Sequence, residues 1–299
     1  MTCYITTFGG NNVLDIKTAC VIGGDKRQIY MGMSMMRDGY NVIFYGFDKS
    51  SIVDEDYSSL SQAVAKSDCV ILPMPLTRDS ESLFAPLSNM KLRLDNEFCE
   101  IIKDKPIFCT NSRYLRKTGD YSHSKIFDYL DREELAVLNA VPTAEGAVEI
   151  AMRNYQKTIN ASSCLVAGYG RIGKVLSKML AALGANVTVS ARKLNDLTWI
   201  RLNGHNPIST EDIAKSGKYD LIFNTVPSMI FDRDTLSKIA GSALVIDLAS
   251  APGGVDFKAA EMLGINAIHA LSLPGKVAPV TAGEIIKNTI YNIMKEETL

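Results

Sequence analysis

Short, almost wholly apolar runs recur along this sequence at the spacing of βα units. A parallel strand that is covered on both faces carries a continuous apolar run, whereas a strand with one solvent-facing side alternates. The sequence therefore predicts the α/β fold class, with two doubly wound parallel-sheet lobes. The predicted strands are residues 18–23, 41–47, 69–75, 106–110 and 134–140 in the first lobe, and residues 163–168, 186–190, 220–226, 243–248 and 265–270 in the second.

The length of 299 residues agrees with two lobes, because it is about twice the ~150 residues typical of one domain. We place the first lobe at residues 1–141 and the second at residues 142–281. Between the two series of strands, a segment that contains Thr143 and Glu145 precedes an apolar-periodic stretch. This pattern predicts a helix that crosses between the lobes, with Thr143 as its N-cap.

Charge and cysteine usage exclude several classes of partner. The 32 Lys and Arg residues nearly balance the 33 Asp and Glu residues, so nothing in the net charge of -1 favours nucleic acid or an anionic membrane as a partner. The six cysteines lack C-x-x-C spacing and do not cluster with the three histidines, so we expect neither a metal site nor a disulfide framework. No run approaches the ~18–20 apolar residues of a membrane span. We expect a cytoplasmic protein.

A glycine fingerprint lies between the first strand of the second lobe and the helix that follows. Gly168 permits a tight turn, Gly170 lets the backbone approach a pyrophosphate, and Gly173 lets the helix pack closely on the strand. The N–H groups at the helix N-terminus favour an anion. The pattern predicts a Rossmann-like lobe that binds a dinucleotide; the alternative is a glycine turn without a ligand. The fingerprint residues are Gly168, Tyr169, Gly170, Arg171, Ile172 and Gly173.

The end of the next strand indicates which dinucleotide is bound. An NAD-specific site places Asp or Glu there to accept a hydrogen bond from the ribose 2′-hydroxyl. This chain has Ser190, 22 residues after Gly168, and then Arg192 and Lys193. Arg binds a phosphate through two parallel hydrogen bonds, and Lys adds a point charge. The sequence therefore favours NADP over NAD; the alternative is that Arg192 and Lys193 form a solvated loop.

The first lobe carries a similar strand but a different turn. Its sequence from Gly23 to Gln28 lacks the glycine spacing of a dinucleotide site, and Asp25 stands where a phosphate would approach. A helix N-terminus still attracts anions, and Arg27 and Gln28 are placed to bind a carboxylate. We therefore expect the first lobe to bind the substrate. The alternative is that Arg27 lies on the solvated first turn of a helix.

Further candidates lie at two strand ends of the second lobe. Thr225, Val226 and Pro227 follow one of these strands and are expected to contact the coenzyme. Asp247 and Ser250 follow the next strand. The pattern leaves two possibilities for this pair: they orient the coenzyme carboxamide and the substrate, or they close turns.

Three more residues have two interpretations each. Thr143 and Glu145 lie between the lobes, where they line a cleft and act on substrate or coenzyme, or else serve as an N-cap and a favourable charge in a first helical turn. His269 ends the last strand of the second lobe. It is either a catalytic base or a buried histidine with its hydrogen bonds satisfied.

Six motifs together resemble a known family. The segments GGDKRQ, PTAEG, GYGRIG, NTVPSMI, DLASAPGG and LPGKVAP occur in this order, and over nearly its whole length the chain resembles the family of bacterial dipicolinate synthase A subunits. In more distant outline it is similar to D-2-hydroxyacid and alanine dehydrogenases. By analogy with such two-lobed dehydrogenases, the lobes are expected to be joined by crossing helices, and the C-terminal helix, residues 282–299, is expected to pack back on the first lobe.

The resemblance implies an activity that the motifs alone do not supply. It implies NADP-dependent oxidation of a cyclic dihydrodipicolinate-type precursor, from the diaminopimelate (lysine) branch, to dipicolinate during sporulation. The implied partner is the flavoprotein-like B subunit of dipicolinate synthase, in the mother cell of a sporulating bacterium. A homo-oligomer is also expected.

We hypothesise that Arg27 and Thr143 anchor the carboxylates of this substrate, with Gln28 and Ser250 nearby, and that Glu145 or Asp25 removes a proton. Two alternatives stay open. One is an NADP-dependent dehydrogenase of a simple hydroxy or amino acid, with His269 as its base. The other is a coenzyme-binding subunit that has no chemistry of its own.

Overall fold

The computed structural model describes residues 15–54 and 58–299, and the chain divides into two compact units. Unit one comprises the described residues up to Arg132 together with Gly283–Leu299, and unit two comprises Glu133–Ala282. Each unit contains one sheet whose strands are all parallel. The predicted fold class, two doubly wound parallel-sheet lobes, is confirmed.

Unit one has the strand order β2-β1-β3-β4-β5. The chain leaves from the middle of this sheet toward both edges, so its helices cover both faces. The elements are β1 (Thr18–Ile22), α1 (Lys26–Arg37), β2 (Asn41–Tyr45), α2 (Leu60–Ala65), β3 (Cys69–Ile71), α3 (Asn96–Ile102), β4 (Ile107–Cys109), α4 (Ser112–Leu115) and β5 (Ile126–Asp128). A 3₁₀ turn, Tyr129–Asp131, ends the series.

Four of the five strands predicted for the first lobe are confirmed, and the fifth is wrong. Residues 134–140 belong to a helix, α5 (Glu133–Asn154), and the fifth strand is β5. In the run that we assigned to a strand, Leu135 and Ala140 are buried while Val137 and Leu138 are exposed. This spacing is helical, and a short apolar run does not distinguish a buried strand from a helix.

Unit two has the strand order β11-β10-β9-β6-β7-β8. This is the 3-2-1-4-5-6 order of dinucleotide-binding folds, counted from β8. All five strands predicted for this lobe are confirmed, and β8 is an additional edge strand. After α5 the elements are β6 (Ser163–Ala167), α6 (Arg171–Ala182), β7 (Asn186–Ala191), α7 (Leu194–Leu202), β8 (Asn206–Ser209), β9 (Leu221–Asn224), α8 (Arg233–Ile239), β10 (Leu244–Asp247), α9 (Phe257–Met262), β11 (Asn266–His269), α10 (Leu273–Val277) and α11 (Pro279–Glu296).

Helix α5 begins ten residues earlier than the sequence predicts, so Thr143 is not its N-cap. Thr143 lies in the helix interior directly after Pro142, and its hydroxyl donates to the main-chain oxygen of Asn139 (2.7 Å). Of the helices in the described part of the chain, α5 alone is long and apolar enough to span a membrane, with a mean hydropathy of 1.2. Ala147 and Ala151 of α5 are fully buried in the core of unit two, as expected of a core helix.

From Gly283 onward, α11 packs within unit one. A β-carbon on Gly283 would lie 2.6 Å from the main-chain oxygen of Arg27, so α11 approaches α1 too closely for a side chain there. The Nζ of Lys287 donates to Asp38 (2.5 Å), and this hydrogen bond lowers the pKa of the Asp38 carboxyl. Buried isoleucines, Ile285, Ile286, Ile290 and Ile293, form the apolar face of the helix.

Candidate functional site

The three glycines of the fingerprint meet three different spatial requirements. Gly168 has a φ of 96°, and a β-carbon there would lie 2.6 Å from the hydroxyl of Thr225. A β-carbon on Gly173 would lie 2.1 Å from the main-chain oxygen of Gly168, so helix α6 contacts the turn directly. A β-carbon on Gly170 would meet no atom of the protein within 4 Å. Space beside Gly170 and contact at the other two positions are what a pyrophosphate cradle requires.

Helix α6 begins beside this open space. Its N-cap is Gly170, which provides no side-chain hydrogen bond to the first turn, so N–H groups of that turn stay available to an anion. Arg171, the first residue of the helix, is exposed, and its Nη1 donates to Glu133 of α5 (3.0 Å). Ile172 faces the other way and packs against the core of unit two.

A cavity of about 460 Å³, called here the loop cavity, lies next to the glycine turn at the carboxyl ends of β6, β7 and β9. Ligands of open α/β sheets bind at this edge. Six lining residues were missed by the sequence analysis: Ala191, Asp196, Thr210, Ser228, Met229 and Ile230. The lining residues that it predicted are Gly168, Tyr169, Gly170, Arg192, Lys193, Thr225, Val226 and Pro227.

Two cations give the loop cavity its charge. Arg192 and Lys193 are exposed, and neither forms an ion pair with any acid among residues 15–54 and 58–299. Asp196, in the first turn of α7, is an acid on the same lining. Ser190 differs from our expectation, because it is fully buried and its hydroxyl accepts from the N–H of Gly168 (3.3 Å). Ser190 therefore orders the glycine turn.

One wall of the loop cavity is organised by Asp247. This residue is fully buried, and one carboxylate oxygen accepts from the side-chain amide of Asn224 (2.7 Å) and from the N–H of Ala249 (3.1 Å). The other oxygen accepts from the N–H of Gly254 (3.1 Å). In turn, the N–H of Val226 donates to the side-chain oxygen of Asn224 (3.1 Å). Asp247 thus joins the loops after β9 and β10, which is the turn-closing alternative of the sequence analysis.

In unit one, the turn after β1 forms a closed hydrogen-bonded group. Asp25 is the N-cap of α1 and accepts from the N–H of Arg27 (3.0 Å). The guanidinium of Arg27 also donates to Asp25, through Nε (2.9 Å) and Nη2 (2.9 Å). Arg27 is 5% exposed, so it does not lie on a solvated turn. The carboxylate of Asp25 is thus its bidentate partner. Nη1 is the guanidinium nitrogen that has no partner among the described residues.

Arg27 belongs to a larger group that holds the segment after β3. Its Nη2 donates to the main-chain oxygen of Met74, the hydroxyl of Thr110 donates to that of Pro73 (3.1 Å), and the hydroxyl of Tyr129 donates to that of Leu72 (2.8 Å). Burial raises the pKa of Tyr129, which keeps its hydroxyl protonated as a donor. Three consecutive carbonyls are therefore held by buried side chains, and two of these side chains, Thr110 and Tyr129, were missed by the sequence analysis.

Gln28 completes the capping box of α1. Its Oε1 accepts from the N–H of Asp25 (3.1 Å), while its Nε2 is buried and has no partner among the described residues. The structure therefore brings Asp25, Arg27 and Gln28 together at the carboxyl end of β1, as the sequence predicts.

The remaining candidates lie in unit two, away from the glycine turn. Helices α5 and α6 run in the same direction, because Glu133 pairs with Arg171 at their beginnings and Glu145 lies beside Met179 farther along. Glu145 is thus about 12 Å along α6 from the turn, at 1.5 Å per residue. It is in the middle of α5, not in a first helical turn as predicted. His269 is exposed, and the centroid of its ring lies 5.3 Å from that of Phe257, with the two rings tilted by 37°.

Sequence and structure comparisons agree on one family. Residues 18–130 match the family model described as the N-terminal domain of the dipicolinate synthase A subunit. The chain is 33% identical to the A subunit of dipicolinate synthase from Bacillus subtilis (strain 168) over 288 residues, which are 92% of this chain and 95% of that protein. The chain belongs to the family of dipicolinate synthase A subunits. The resemblance inferred from the six motifs is confirmed.

Solved structures support the same relationship and the fold. The crystal structure of the dipicolinate synthase A subunit from Bacillus halodurans has a TM-score of 0.82 at 29% identity and covers 95% of this chain and 99% of that chain. A D-lactate dehydrogenase from Salmonella has a TM-score of 0.58 at 13% identity, covering 94% of this chain and 97% of that chain. The likeness to the D-lactate dehydrogenase shows only that the two chains share a fold.

The Asp247 network yields a stability prediction. In Asp247→Asn, an NH₂ group replaces one carboxylate oxygen and faces the N–H donors of Ala249 and Gly254 or the amide of Asn224. We expect the free energy of unfolding to fall by about 1–3 kcal/mol, the cost of leaving buried polar groups unpaired. Denaturant unfolding measures the loss.

The matched control is Asp234→Asn on α8, an exposed carboxylate that pairs with Lys238. Its effect should stay within about 0.5 kcal/mol, as for most surface substitutions. Equal effects of the two variants would contradict the structural role of Asp247.

Proposed function

We propose that this chain catalyses the NADP-dependent oxidation of a cyclic dihydrodipicolinate-type precursor to dipicolinate, acting with the B subunit of dipicolinate synthase. The observation that carries the proposal is family membership over 92% of the chain, combined with a glycine turn that has open space at Gly170. In this proposal unit two binds the coenzyme and unit one binds the substrate. We further propose a cytoplasmic location in a sporulating cell, and a homo-oligomer.

The loop cavity fits NADP better than NAD. Arg192 and Lys193 have no carboxylate partner among the described residues, and the end of β7 carries no acid. Arg192 is suited to bind a 2′-phosphate through two hydrogen bonds, and Lys193 adds charge. The N–H groups at the start of α6 would face the pyrophosphate, and Asp247 would act indirectly by fixing the wall formed by Val226 and Pro227.

The proposed reaction balances without a further co-reactant. The dihydropyridine ring loses a hydride to NADP and a ring proton to solvent water, two electrons and two hydrogens in all, and becomes a pyridine ring. Bound NADP would accept the hydride and leave as NADPH. Because aromaticity of the product supplies driving force, the chain's main task is to position the ring carbon.

Unit one would hold the dicarboxylate substrate beside α1. The Nη1 of Arg27 is the guanidinium nitrogen available for a substrate carboxylate, and the Asp25 fork fixes the orientation of that guanidinium. Both oxygens of Asp25 are occupied by Arg27, and the hydroxyl of Thr143 is occupied by Asn139. Asp25 and Thr143 are therefore poorly placed to act on substrate, and the proposal does not depend on them or on Glu145.

The alternative of a simple hydroxyacid dehydrogenase gains no support from His269. A catalytic histidine in such enzymes is oriented by a carboxylate, but His269 contacts the ring of Phe257 and no acid within the described ranges. A coenzyme-binding subunit without chemistry would bind NADP as proposed here but would not form NADPH from the substrate.

The glycine turn gives a matched pair of variants. Gly170→Ala should raise the Kd for NADP at least about tenfold, because the new methyl group occupies the space left for the pyrophosphate. Its thermal stability should not change, since φ is -79° and no protein atom is within 4 Å. Gly173→Ala should instead lower the melting temperature, because its β-carbon meets the Gly168 carbonyl. Calorimetric titration measures the affinity and thermal unfolding measures the stability, so the two effects can be separated. If Gly170→Ala binds NADP with the original affinity, the glycine turn is not the pyrophosphate site.

The choice of coenzyme is tested by Arg192→Ala combined with Lys193→Ala. The double variant should weaken NADP binding about ten- to hundredfold, because charge-assisted hydrogen bonds to the 2′-phosphate are lost. NAD binding should stay within about twofold. Arg201→Ala, at the other end of α7 and outside the loop cavity, is the control. A double variant that loses both coenzymes equally would contradict the assignment.

The reaction itself is tested by NADPH formation from the cyclised intermediate of the diaminopimelate branch. We expect turnover that requires NADP, measured by absorbance with and without the B subunit. Arg27→Lys keeps the positive charge but loses the planar guanidinium, which donates two parallel hydrogen bonds to Asp25. The variant should therefore raise KM for the intermediate and leave the Kd for NADP unchanged.

His269→Gln serves as the comparison variant. According to our proposal, this variant should form NADPH at nearly the original rate. If His269 is the base, turnover should be abolished. Absence of NADPH under every condition, with NADP binding intact, would support the coenzyme-binding alternative.

A further inference from the structure

Unit two has a second cavity, of about 430 Å³, between α6 and α7. We call it the Trp199 cavity. Tyr169 lines both this cavity and the loop cavity. Its polar and aromatic lining consists of Tyr169, Lys174, Lys178, Trp199, Asn203 and His205. The function proposed above uses none of these residues except Tyr169.

Two lysines give the Trp199 cavity a positive charge. Lys174 and Lys178 are one helical turn apart on α6, so their side chains project from the same face, with about 5–6 Å between β-carbons. Neither lysine forms an ion pair in the described part of the chain, whereas Arg153 and Lys238 on other helices do. The Nζ of Lys174 lies 5.5 Å from the ring centroid of Tyr169. The pair is therefore free to bind an anion with two negative groups.

Aromatic rings form another part of the wall. Trp199 is 56% exposed, although a tryptophan of a folded protein is on average largely buried. Tyr169 is half-buried, and its hydroxyl accepts from the side-chain amide of Asn203 (3.2 Å), which fixes the ring. An exposed indole beside two cations suits a ligand that is both planar and anionic, since the ring stacks and the charges pair.

His205 is a largely buried member of the lining. It lines the cavity and is 8% exposed. Burial lowers the pKa of this imidazole, so the neutral ring predominates at neutral pH. His205 therefore adds a polar ring but no charge to the lining, and its Nδ1, which has no hydrogen-bond partner among the described residues, is closed to solvent.

We propose that the Trp199 cavity binds a planar aromatic dicarboxylate, outside the loop cavity. The ring stacks on Trp199, and the carboxylates pair with Lys174 and Lys178. Two carboxylates in meta relation on one ring have a separation comparable to that of two lysines one turn apart. That the natural ligand is dipicolinate rests on the proposed function, and the site would then register the product of the reaction.

The protein contains a single tryptophan, so its fluorescence reports on this cavity directly. We would titrate the full chain with pyridine-2,6-dicarboxylate in metal-free buffer, with excitation at the long-wavelength edge of tryptophan absorption. A saturable change in emission is expected, and it should persist at saturating NADP. No change up to the solubility of the ligand, or complete competition by NADP, would overturn the proposal.

Related ligands test the chemistry of the site. Benzene-1,3-dicarboxylate keeps the ring and both charges, so it should bind within about tenfold of pyridine-2,6-dicarboxylate. Cyclohexane-1,3-dicarboxylate lacks the flat ring and inorganic phosphate lacks a ring altogether, so both should bind at least about tenfold more weakly. Phosphate binding equal to that of the aromatic ligands would show a general anion site and overturn the proposal.

A matched pair of variants completes the test. Lys178→Gln should weaken the fluorescence response at least about tenfold, while Lys238→Gln, which removes the same charge from α8, should leave it unchanged. Equal responses of these two variants would overturn the proposal. NADPH formation without a tryptophan response would support the proposed function and contradict this site. A tryptophan response without NADPH formation would support the site and contradict the proposed reaction.

Discussion

The buried carboxylate of Asp247 is the interaction on which the shape of the loop cavity in unit two depends. A buried charge is tolerated when hydrogen bonds replace its lost hydration, and Asp247 receives them from Asn224, Ala249 and Gly254. These donors belong to two loops, so one side chain fixes the cavity wall at the ends of both β9 and β10. Asp25 has the same role in unit one, where it holds the N-terminus of α1 and the guanidinium of Arg27. Both carboxylates shape a strand-end loop and leave the contact with anions to cations and N–H groups.

Strands that are buried on both faces were predictable from sequence, because burial itself produces their continuous apolar runs. The run Leu221–Asn224 is fully buried and was found. Two of the four edge strands were missed: β5 and β8 are only half-buried and include Asp128 and Asn206 among their few residues. The run in α5 misled for a related reason: its exposed Val137 and Leu138 are apolar, so composition concealed the helical spacing of its buried residues.

In the candidate site, the features that depend on one turn of backbone were predictable from sequence, and the contacts between distant segments were not. The spacing of Gly168, Gly170 and Gly173 was informative because each requirement acts on the backbone within a single turn. Partners of side chains were not predictable, because they depend on where distant segments end. Ser190 turned inward to the glycine loop, and Thr110 and Tyr129 reach the carbonyls after β3 from two other segments. Thr143 misled because a threonine before an apolar-periodic stretch is typical of an N-cap, whereas helix α5 continues through both Pro142 and Thr143.

Tyr169 connects the two cavities of unit two in physical terms. It follows Gly168 in the turn that is proposed to hold the pyrophosphate, and it lines both the loop cavity and the Trp199 cavity. A ligand in the Trp199 cavity that moves this ring changes the free energy of coenzyme binding, and by thermodynamic linkage the coenzyme changes the affinity for that ligand by the same factor. The hydrogen bond from Asn203 restrains the ring, so the coupling depends on how far α7 moves with it. Coupling between product and coenzyme would therefore require no contact between the two ligands.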